Sequence, residues 1–359
     1  MDKKTNNLKK DNTGSFYGNY SFGNIYNFLL DKKKISELKK IIYQDLKNGK
    51  INNSLKDKII MDVGTGRQSL ALSLLGAKKV YHYDISLEHV TRFKKILKHK
   101  FSKLNIVSEN KNIAKDRLPI EKFDIVFLNG IIQHFSSVKE GLYNCANSVK
   151  IGGKIWCYFY RSGTFRWFVV EMIRKIVSHI NLNDFFKSSS ILYNLGNTSS
   201  PTVSEVMDDL YVPFINLYTP KQYINFMKEL GFKIHQKVNL KNLHDIDHFN
   251  HHSSVIVFKK INKTPKLNKI KKKYLLNKKN LINQLNKKNY SKNSEIYNCV
   301  VLFEKIFKKI TKKTSKVLIF SLCLELHRIS NKLFYERKEF PPNYKKLKYL
   351  LNNCYKLIK

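Results

Sequence analysis

An apolar run that ends in a Gly-x-Gly turn constrains the fold of this chain more than any other feature. Residues 59–63 form the apolar run, Gly64, Thr65 and Gly66 form the turn, and a helical pattern follows. A second apolar run ends on Asp84, 20 residues after Gly64. This order is typical of a nucleotide-type cofactor site, because glycines let the backbone pass close to a ligand and the acid can accept hydrogen bonds from a ribose diol.

Strand and helix patterns alternate over most of the first 260 residues. We predict strands at 58–63, 79–84, 105–108, 123–128, 154–160, 232–238 and 253–258. We predict helices at 35–46, 68–75, 87–98, 138–149 and 220–230, with a turn at Gly152-Gly153. Such alternation is typical of βαβ units, so the predicted fold class is α/β, with a mostly parallel sheet and helices on both faces.

Composition and spacing divide the chain into three parts. Residues 1–54 form an N-terminal segment with a leading helix, and residues 55–260 contain the alternating pattern. Within residues 55–260, the segment 161–218 is too long for an ordinary connection between elements, so we predict that it forms a lid-like insert. Residues 165–180 of this insert have a helical pattern. Residues 261–359 carry 26 Lys and Arg against 5 Glu, and apolar stripes at 296–310 and 318–333 predict a basic helical extension.

The net charge of +40 raises the question of a nucleic-acid partner. Only 8 of the 67 basic residues are Arg, whereas specific phosphate or base recognition usually uses the planar guanidinium of Arg. Lys, Asn and Ile share A/T-rich codons, so genome composition alone could produce this surface. Nucleic-acid binding therefore stays open but is not favoured.

Cysteine use and hydropathy point to a cytoplasmic location. The 5 cysteines are odd in number and show no Cys-x-x-Cys spacing, which is typical of reduced thiols and not of a disulfide framework or zinc site. Residues 1–12 contain no apolar signal region, and the apolar stretch at 317–324 is shorter than the roughly 20 residues that span a bilayer. We expect no transmembrane segment, and the oligomeric state stays open.

Four motifs in order resemble the class I S-adenosylmethionine-dependent methyltransferases across about residues 55–260. They are the acid-x-Gly-x-Gly motif at 62–66, the acid Asp84, the Leu-Pro and Phe-Asp-x-Val pattern at 118–126, and the Gly-Gly turn at 152–155. The resemblance implies a Rossmann-like seven-stranded sheet, S-adenosyl-L-methionine as cofactor and, from the looser match to small-molecule members, a small-molecule acceptor. The cofactor-binding residues that it implies are Asp62, Gly64, Thr65, Gly66, Asp84, Ile85, Asn112, Ile113, Asn129 and Gly130.

The chain departs from the family pattern at two places. Gln68 stands where many members have a third glycine, which could weaken cofactor binding. The usual acid that reaches the adenine amino group is replaced by Asn112 or, nearly as well placed, Asn110, and either could be a plain turn residue. A dinucleotide dehydrogenase is disfavoured because its fingerprint requires glycine at position 69, which is Ser69 here.

The acceptor side is less well marked. His134 follows the fourth predicted strand and could act as a general base, or it could simply close the pocket wall. Tyr160 and Arg161 follow the fifth strand, where Arg161 or Arg166 could hold a carboxylate or phosphate, or could lie at the surface. The His-rich loop at 244–252 indicates a polar or substrate-facing loop more than a metal site, so no metal is predicted.

Two other functions remain open from the sequence. The first is an RNA methyltransferase that grips phosphate with its basic C-terminal extension, and it predicts binding that weakens steeply with salt. The second is a non-catalytic relative that keeps the fold, for which Gln68 is the one hint.

Overall fold

The computed structural model describes most of the alternating region and parts of both ends. The described residues are 12–20, 29–51, 54–162, 167, 170–171, 173–174, 177, 181, 183, 203–238, 253–270, 301–302, 305–306, 309 and 344–357. The chain divides into two compact units. The first unit contains residues 1–156, 212–216 and 259–264, and the second contains 157–211, 217–258 and 265–359. The predicted three-part division stays a prediction.

Seven strands form one sheet. They are β1 (Ile59–Val63), β2 (Lys79–Asp84), β3 (Ile106–Asn110), β4 (Phe123–Asn129), β5 (Val149–Tyr160), β6 (Phe232–Lys237) and β7 (Ser253–Lys260). Their order in the sheet is β3-β2-β1-β4-β5-β7-β6. β1 pairs in parallel with β2 and β4, and β2 pairs in parallel with β3. This is a doubly wound order with β7 lying between β5 and β6, which confirms the predicted Rossmann-like sheet of seven strands.

Eight helices have defined bounds in the described part of the chain. They are α1 (Thr13–Tyr20), α2 (Lys32–Asn48), α3 (Arg67–Leu74), α4 (Leu87–Lys100), α5 (Val138–Ser148), α6 (Val203–Tyr211), α7 (Pro220–Glu229) and α8 (Tyr344–Leu357). Short 3₁₀ turns lie at Ile132–His134 and Leu267–Lys269. None of the described helices is long and apolar enough to cross a membrane.

Polar caps fix where several of these helices begin. The hydroxyl of Ser86 accepts a hydrogen bond from the backbone of His89 and starts α4, immediately after β2. Thr219 and Gln222 form a reciprocal capping box at the start of α7, with Pro220 at the first helical position as predicted. Each side-chain cap satisfies a backbone N–H that has no partner within its helix.

A buried lysine fastens the end of β7 to the end of α5. Lys260 is 1% exposed, and its ammonium donates to the carbonyls of Ala146 at 2.9 Å and Val149 at 2.7 Å. Burial lowers the pKa of Lys260, and Glu121 at 3.6 Å opposes that shift. The ammonium therefore satisfies carbonyls at the C-terminal end of the helix, where a positive charge is favourable.

The predicted Gly-Gly turn lies inside β5. Gly152 has φ of +85°, and a Cβ on Gly153 would lie 2.7 Å from Val149 Cγ1. In an extended strand, residues four apart are separated by about 13 Å, so the chain folds back at Gly152 even though β5 already begins at Val149. The predicted helix over 138–149 correspondingly ends one residue earlier, at Ser148.

Three helices were not predicted, and some predictions lie outside the described residues. α1, α6 and α8 have no counterpart among the predicted elements. The described positions within the predicted helix 165–180 are helical, as are those within the first tail stripe. The second stripe, at 318–333, and the His-rich loop at 244–252 lie outside the described residues, and so does Arg166.

Candidate cofactor and acceptor site

The strand order places one crevice at the carboxyl ends of β1 and β4. The direction of winding reverses between these two strands, and ligands of doubly wound sheets bind at such a reversal. Val63, the last residue of β1, lies opposite Leu128 of β4. The Gly-x-Gly turn and Gly130 therefore follow neighbouring strand ends, where the sequence predicted cofactor contacts.

The two glycines of the turn have different surroundings. Gly64 and Gly66 have φ of +129° and +85°, a region that side chains with a Cβ rarely adopt. A Cβ on Gly64 would meet nothing within 4 Å, whereas a Cβ on Gly66 would lie 2.8 Å from the ring of Phe93. One side of the turn is thus open and the other is packed against α4. This arrangement fits a ligand that passes close to the backbone.

Asp62 is buried at the end of β1 and is held by the helix that follows the turn. Its Oδ2 accepts a hydrogen bond of 2.6 Å from the hydroxyl of Ser69, while Oδ1 is buried without a hydrogen-bond partner among the described residues. Burial raises the pKa of Asp62 to about 7, against the opposing effect of the Ser69 hydrogen bonds. Ser69, which distinguishes the chain from a dehydrogenase fingerprint, therefore orients the first acid of the motif.

Asp84 ends β2 and turns toward the start of α4. Its Oδ1 accepts a hydrogen bond of 2.6 Å from the backbone N–H of Ser86, and its Oδ2 lies 3.4 Å from Nδ1 of His89. A carboxylate offers about four acceptor positions, so capacity remains for the two hydroxyls of a ribose. Ile85 directly follows Asp84, and the contact of both residues with the cofactor stays a prediction.

His82 is a site residue that the sequence analysis did not identify. Its Nε2 bonds to the carbonyl of Gly64, and its Nδ1 lies 2.8 Å from the hydroxyl of Ser108. Because a carbonyl can only accept, Nε2 carries the proton and Nδ1 of the neutral ring accepts from Ser108. Burial lowers the pKa of His82, which favours this neutral form, although Asp84 opposes the shift. The ring thereby fixes the carbonyl of the first glycine in the turn.

The residues after β3 form a compact turn. Asn112 Oδ1 accepts a hydrogen bond of 3.0 Å from the backbone of Ala114, and the backbone of Asn112 donates to Asp116 at 2.8 Å. Asn110 donates at 2.9 Å to the carbonyl of Asp84, and Ile113 is buried. Asn112 thus has the turn role that the sequence left as its alternative, and its contact with adenine stays a prediction.

His134 lies in the 3₁₀ turn that follows β4, four residues after Gly130 in the sequence. It is 5% exposed, and its Nδ1 lies 3.1 Å from the carbonyl of Phe214. That carbonyl can only accept, so in the neutral ring the proton is on Nδ1 and the lone pair is on Nε2. Asn216 reinforces the same segment by donating to the carbonyl of Phe135 at 2.8 Å.

Tyr160 and Arg161 belong to the second unit. Tyr160 stacks on Trp167 with ring centroids 4.4 Å apart, and Arg161 is 2% exposed and forms a β-bridge with Tyr218. Tyr218 in turn meets Tyr223 edge to face at 5.7 Å. Tyr160 is therefore held by a ring contact and Arg161 by backbone pairing, and the contact of either residue with an acceptor stays a prediction.

Comparison with known proteins gives one family match. Residues 61–157 match the model of a methyltransferase domain. No curated protein sequence matches the chain.

The solved structures that match the chain have low sequence identity. The PH0226 protein of Pyrococcus horikoshii is 16% identical, with a TM-score of 0.41 over 68% of this chain and 98% of that one. The YcgJ protein of Bacillus subtilis is 15% identical, with a TM-score of 0.38 over 57% and 73%. The CurJ carbon methyltransferase is 15% identical, with a TM-score of 0.39 over 65% and 57%.

Proposed function

We propose that this chain, which carries a class I S-adenosylmethionine-dependent methyltransferase domain, moves the methyl group of S-adenosyl-L-methionine to an N, O or C atom of a small molecule. One observation carries the proposal. The open Gly64 turn and the carboxylate of Asp84 lie at the carboxyl ends of adjacent parallel strands, next to the reversal of strand order.

The residues at these strand ends fit the parts of the cofactor. Asp84 accepts hydrogen bonds from the ribose hydroxyls, and Asp62 with the turn at 64–66 supports the backbone beside it. Asn112 and Ile113 border the adenine, and Asn129 and Gly130 border the methionine end. When bound, the cofactor supplies a methyl group on a sulfonium, which is already a good leaving unit.

The protein then has to align the acceptor, exclude water and remove a proton. His134 suits the last task, because Nε2 of its neutral ring carries the lone pair while Nδ1 is held by Phe214. Tyr160 and Arg161 are the proposed acceptor contacts, with the guanidinium able to hold a carboxylate or phosphate in two hydrogen bonds.

Two further features support a small molecule and a cytoplasmic location. Arg is scarce among the basic residues, whereas specific nucleic-acid recognition relies on it. Cys145 is a buried thiol, as expected in a reducing compartment.

Cofactor binding is tested first, by calorimetry with S-adenosylmethionine and with NAD as the competing class of cofactor. We expect binding of S-adenosylmethionine only, and we expect Asp84→Ala to weaken it by at least about 100-fold, since two hydrogen bonds to a charged group contribute about 1.5–3 kcal/mol each. The control is Asp57→Ala, which removes an exposed carboxylate just before β1 and should change nothing. Unchanged binding by Asp84→Ala would contradict the proposed site.

The acceptor is then sought with methyl-labelled cofactor and a cell extract that is separated into small molecules, RNA and protein. Label in the small-molecule fraction supports the proposal and supplies a compound to identify. If label appeared in RNA instead, and its amount fell steeply as the salt concentration rose, the basic extension would be assigned to phosphate binding. Absence of label in every fraction, despite cofactor binding, would favour a non-catalytic relative.

A further inference from the structure

The N-terminal helix α1 lies outside the family match yet packs on the proposed site. α1 spans only eight residues, and Thr13, Phe16 and Tyr17 on it are buried. An isolated helix of this length is marginal in water, so α1 depends on the surface against which it docks.

That surface is the backbone directly after Asp84. A Cβ on Gly14 would lie 2.5 Å from the carbonyl oxygen of Ile85, so only glycine permits this approach. The first turn of α1 therefore docks against the end of β2, beside the acid proposed to hold the ribose.

Tyr17 extends the contact to the other end of the site. Its ring lies 6.5 Å from the ring of His89, whose Nδ1 is 3.4 Å from the carboxylate of Asp84. The same tyrosine ring meets the ring of His134 edge to face at 6.0 Å. One side chain thus contacts residues that follow two different strands, β2 at the proposed ribose end and β4 at the proposed acceptor end.

We propose that α1 forms a wall of the cofactor and acceptor site and that Tyr17 is the residue of this wall that contacts the bound ligands. The inference rests on the proposed function and adds to it a segment more than 40 residues before the family match. Because α1 is short and held by docking, bound cofactor stabilises it, and α1 in turn slows release of the cofactor.

The test uses the full chain and two readouts that do not require turnover. The first is the dissociation rate of S-adenosylmethionine, and the second is hydrogen exchange of the backbone amides of residues 13–20 with and without it. We expect the cofactor to slow exchange in this segment. We expect Tyr17→Leu to speed dissociation about 3- to 10-fold, because loss of an aromatic contact is worth about 0.5–1.5 kcal/mol, and Tyr17→Phe to stay within about twofold.

A second variant undocks the helix without changing Tyr17. Gly14→Ala places a methyl group against the Ile85 carbonyl, and we expect it to speed both dissociation and exchange in residues 13–20. The control is Leu38→Ala, which truncates a buried residue of the other N-terminal helix, α2. It should lower stability and leave the dissociation rate unchanged.

The outcomes separate this inference from the proposed function. Wild-type protein that binds S-adenosylmethionine, together with Tyr17→Leu and Gly14→Ala variants that release it at the wild-type rate, would overturn the role of α1 alone. Wild-type protein that fails to bind S-adenosylmethionine would overturn the proposed function and this inference with it.

Discussion

The two units organise their candidate site residues in different ways. In the first unit, Asp62, His82 and Asp84 are buried polar groups at strand ends, each held by hydrogen bonds. In the second unit, Tyr160 and Tyr218 each pack against another aromatic ring, that of Trp167 and that of Tyr223. A polar group at a strand end is fixed by a few short contacts, whereas a ring cluster is fixed by shape over a large area. We therefore expect substitutions near the strand ends of the first unit to change cofactor affinity, and substitutions of the packed rings of the second unit to change stability without changing cofactor affinity.

The largest expected effect comes from a matched pair of tryptophans. Trp167 of the second unit stacks on Tyr160, and Trp156 of the first stacks on Phe127 of β4 at 4.3 Å. Each substitution to alanine should lower the free energy of unfolding by about 3–5 kcal/mol, measured by urea denaturation. Only Trp156→Ala should also weaken cofactor binding, because β4 carries Asn129 and Gly130. Weaker cofactor binding in Trp167→Ala, with unchanged binding in Trp156→Ala, would contradict the expected difference between the two units.

The second effect is a dependence of stability on pH. The pKa of Asp62 is raised from 3.8 to about 7, so between these values the folded state binds more protons than the unfolded state. The free energy of unfolding should therefore fall as pH rises from about 4 to 7, by up to a few kcal/mol at about 1.4 kcal/mol per pKa unit. Asp62→Asn should flatten this slope, and the difference between the two proteins cancels the similar contribution of Asp45. If the free energy of unfolding changed with pH equally steeply in the wild type and in Asp62→Asn, the pKa of Asp62 would not be raised in the folded state.

The third effect separates the two glycines of the turn. Gly66→Ala should destabilise the fold by about 1–3 kcal/mol, because its φ is positive and Phe93 occupies the space of the added methyl group. Gly64→Ala also has a backbone penalty from its positive φ, but its methyl group projects into open space, so its loss of cofactor affinity should exceed its loss of stability. Denaturation and calorimetry on both variants measure the two quantities. If the ratio of affinity loss to stability loss were the same in both variants, the turn would not have an open side at Gly64 and a packed side at Gly66.

The smallest effect concerns the histidine that holds the turn. His82→Leu removes the donor to the Gly64 carbonyl and should weaken cofactor binding about 3- to 10-fold, whereas the amide of His82→Gln can still donate and should restore part of it. Ser148→Ala is the control, because it removes another buried hydrogen bond, from Ser148 to the carbonyl of Cys145. Equal affinity in all three variants would leave His82 a packing residue.

Local spacing predicted much of the first unit. The glycine turn, the acid at the end of β2 and the start of α4 follow from residue types with strong backbone preferences, and so does the start of α7 in the second unit. His82 was missed because its function depends on β1 and β3, which are remote in sequence. The whole of α1 was missed because a short helix with a weak apolar pattern is stabilised mainly by tertiary contacts.

The docking of α1 also affects the choice of a fragment for expression. A fragment cut to the bounds of the family match would keep the turn at 64–66 and Asp84 but would lose Gly14 and Tyr17. Such a fragment would lack the contacts that α1 makes with the Ile85 carbonyl and with the ring of His134. Assays that look for the acceptor should therefore use protein that includes α1, since substrates tested on the shorter fragment would meet a different surface.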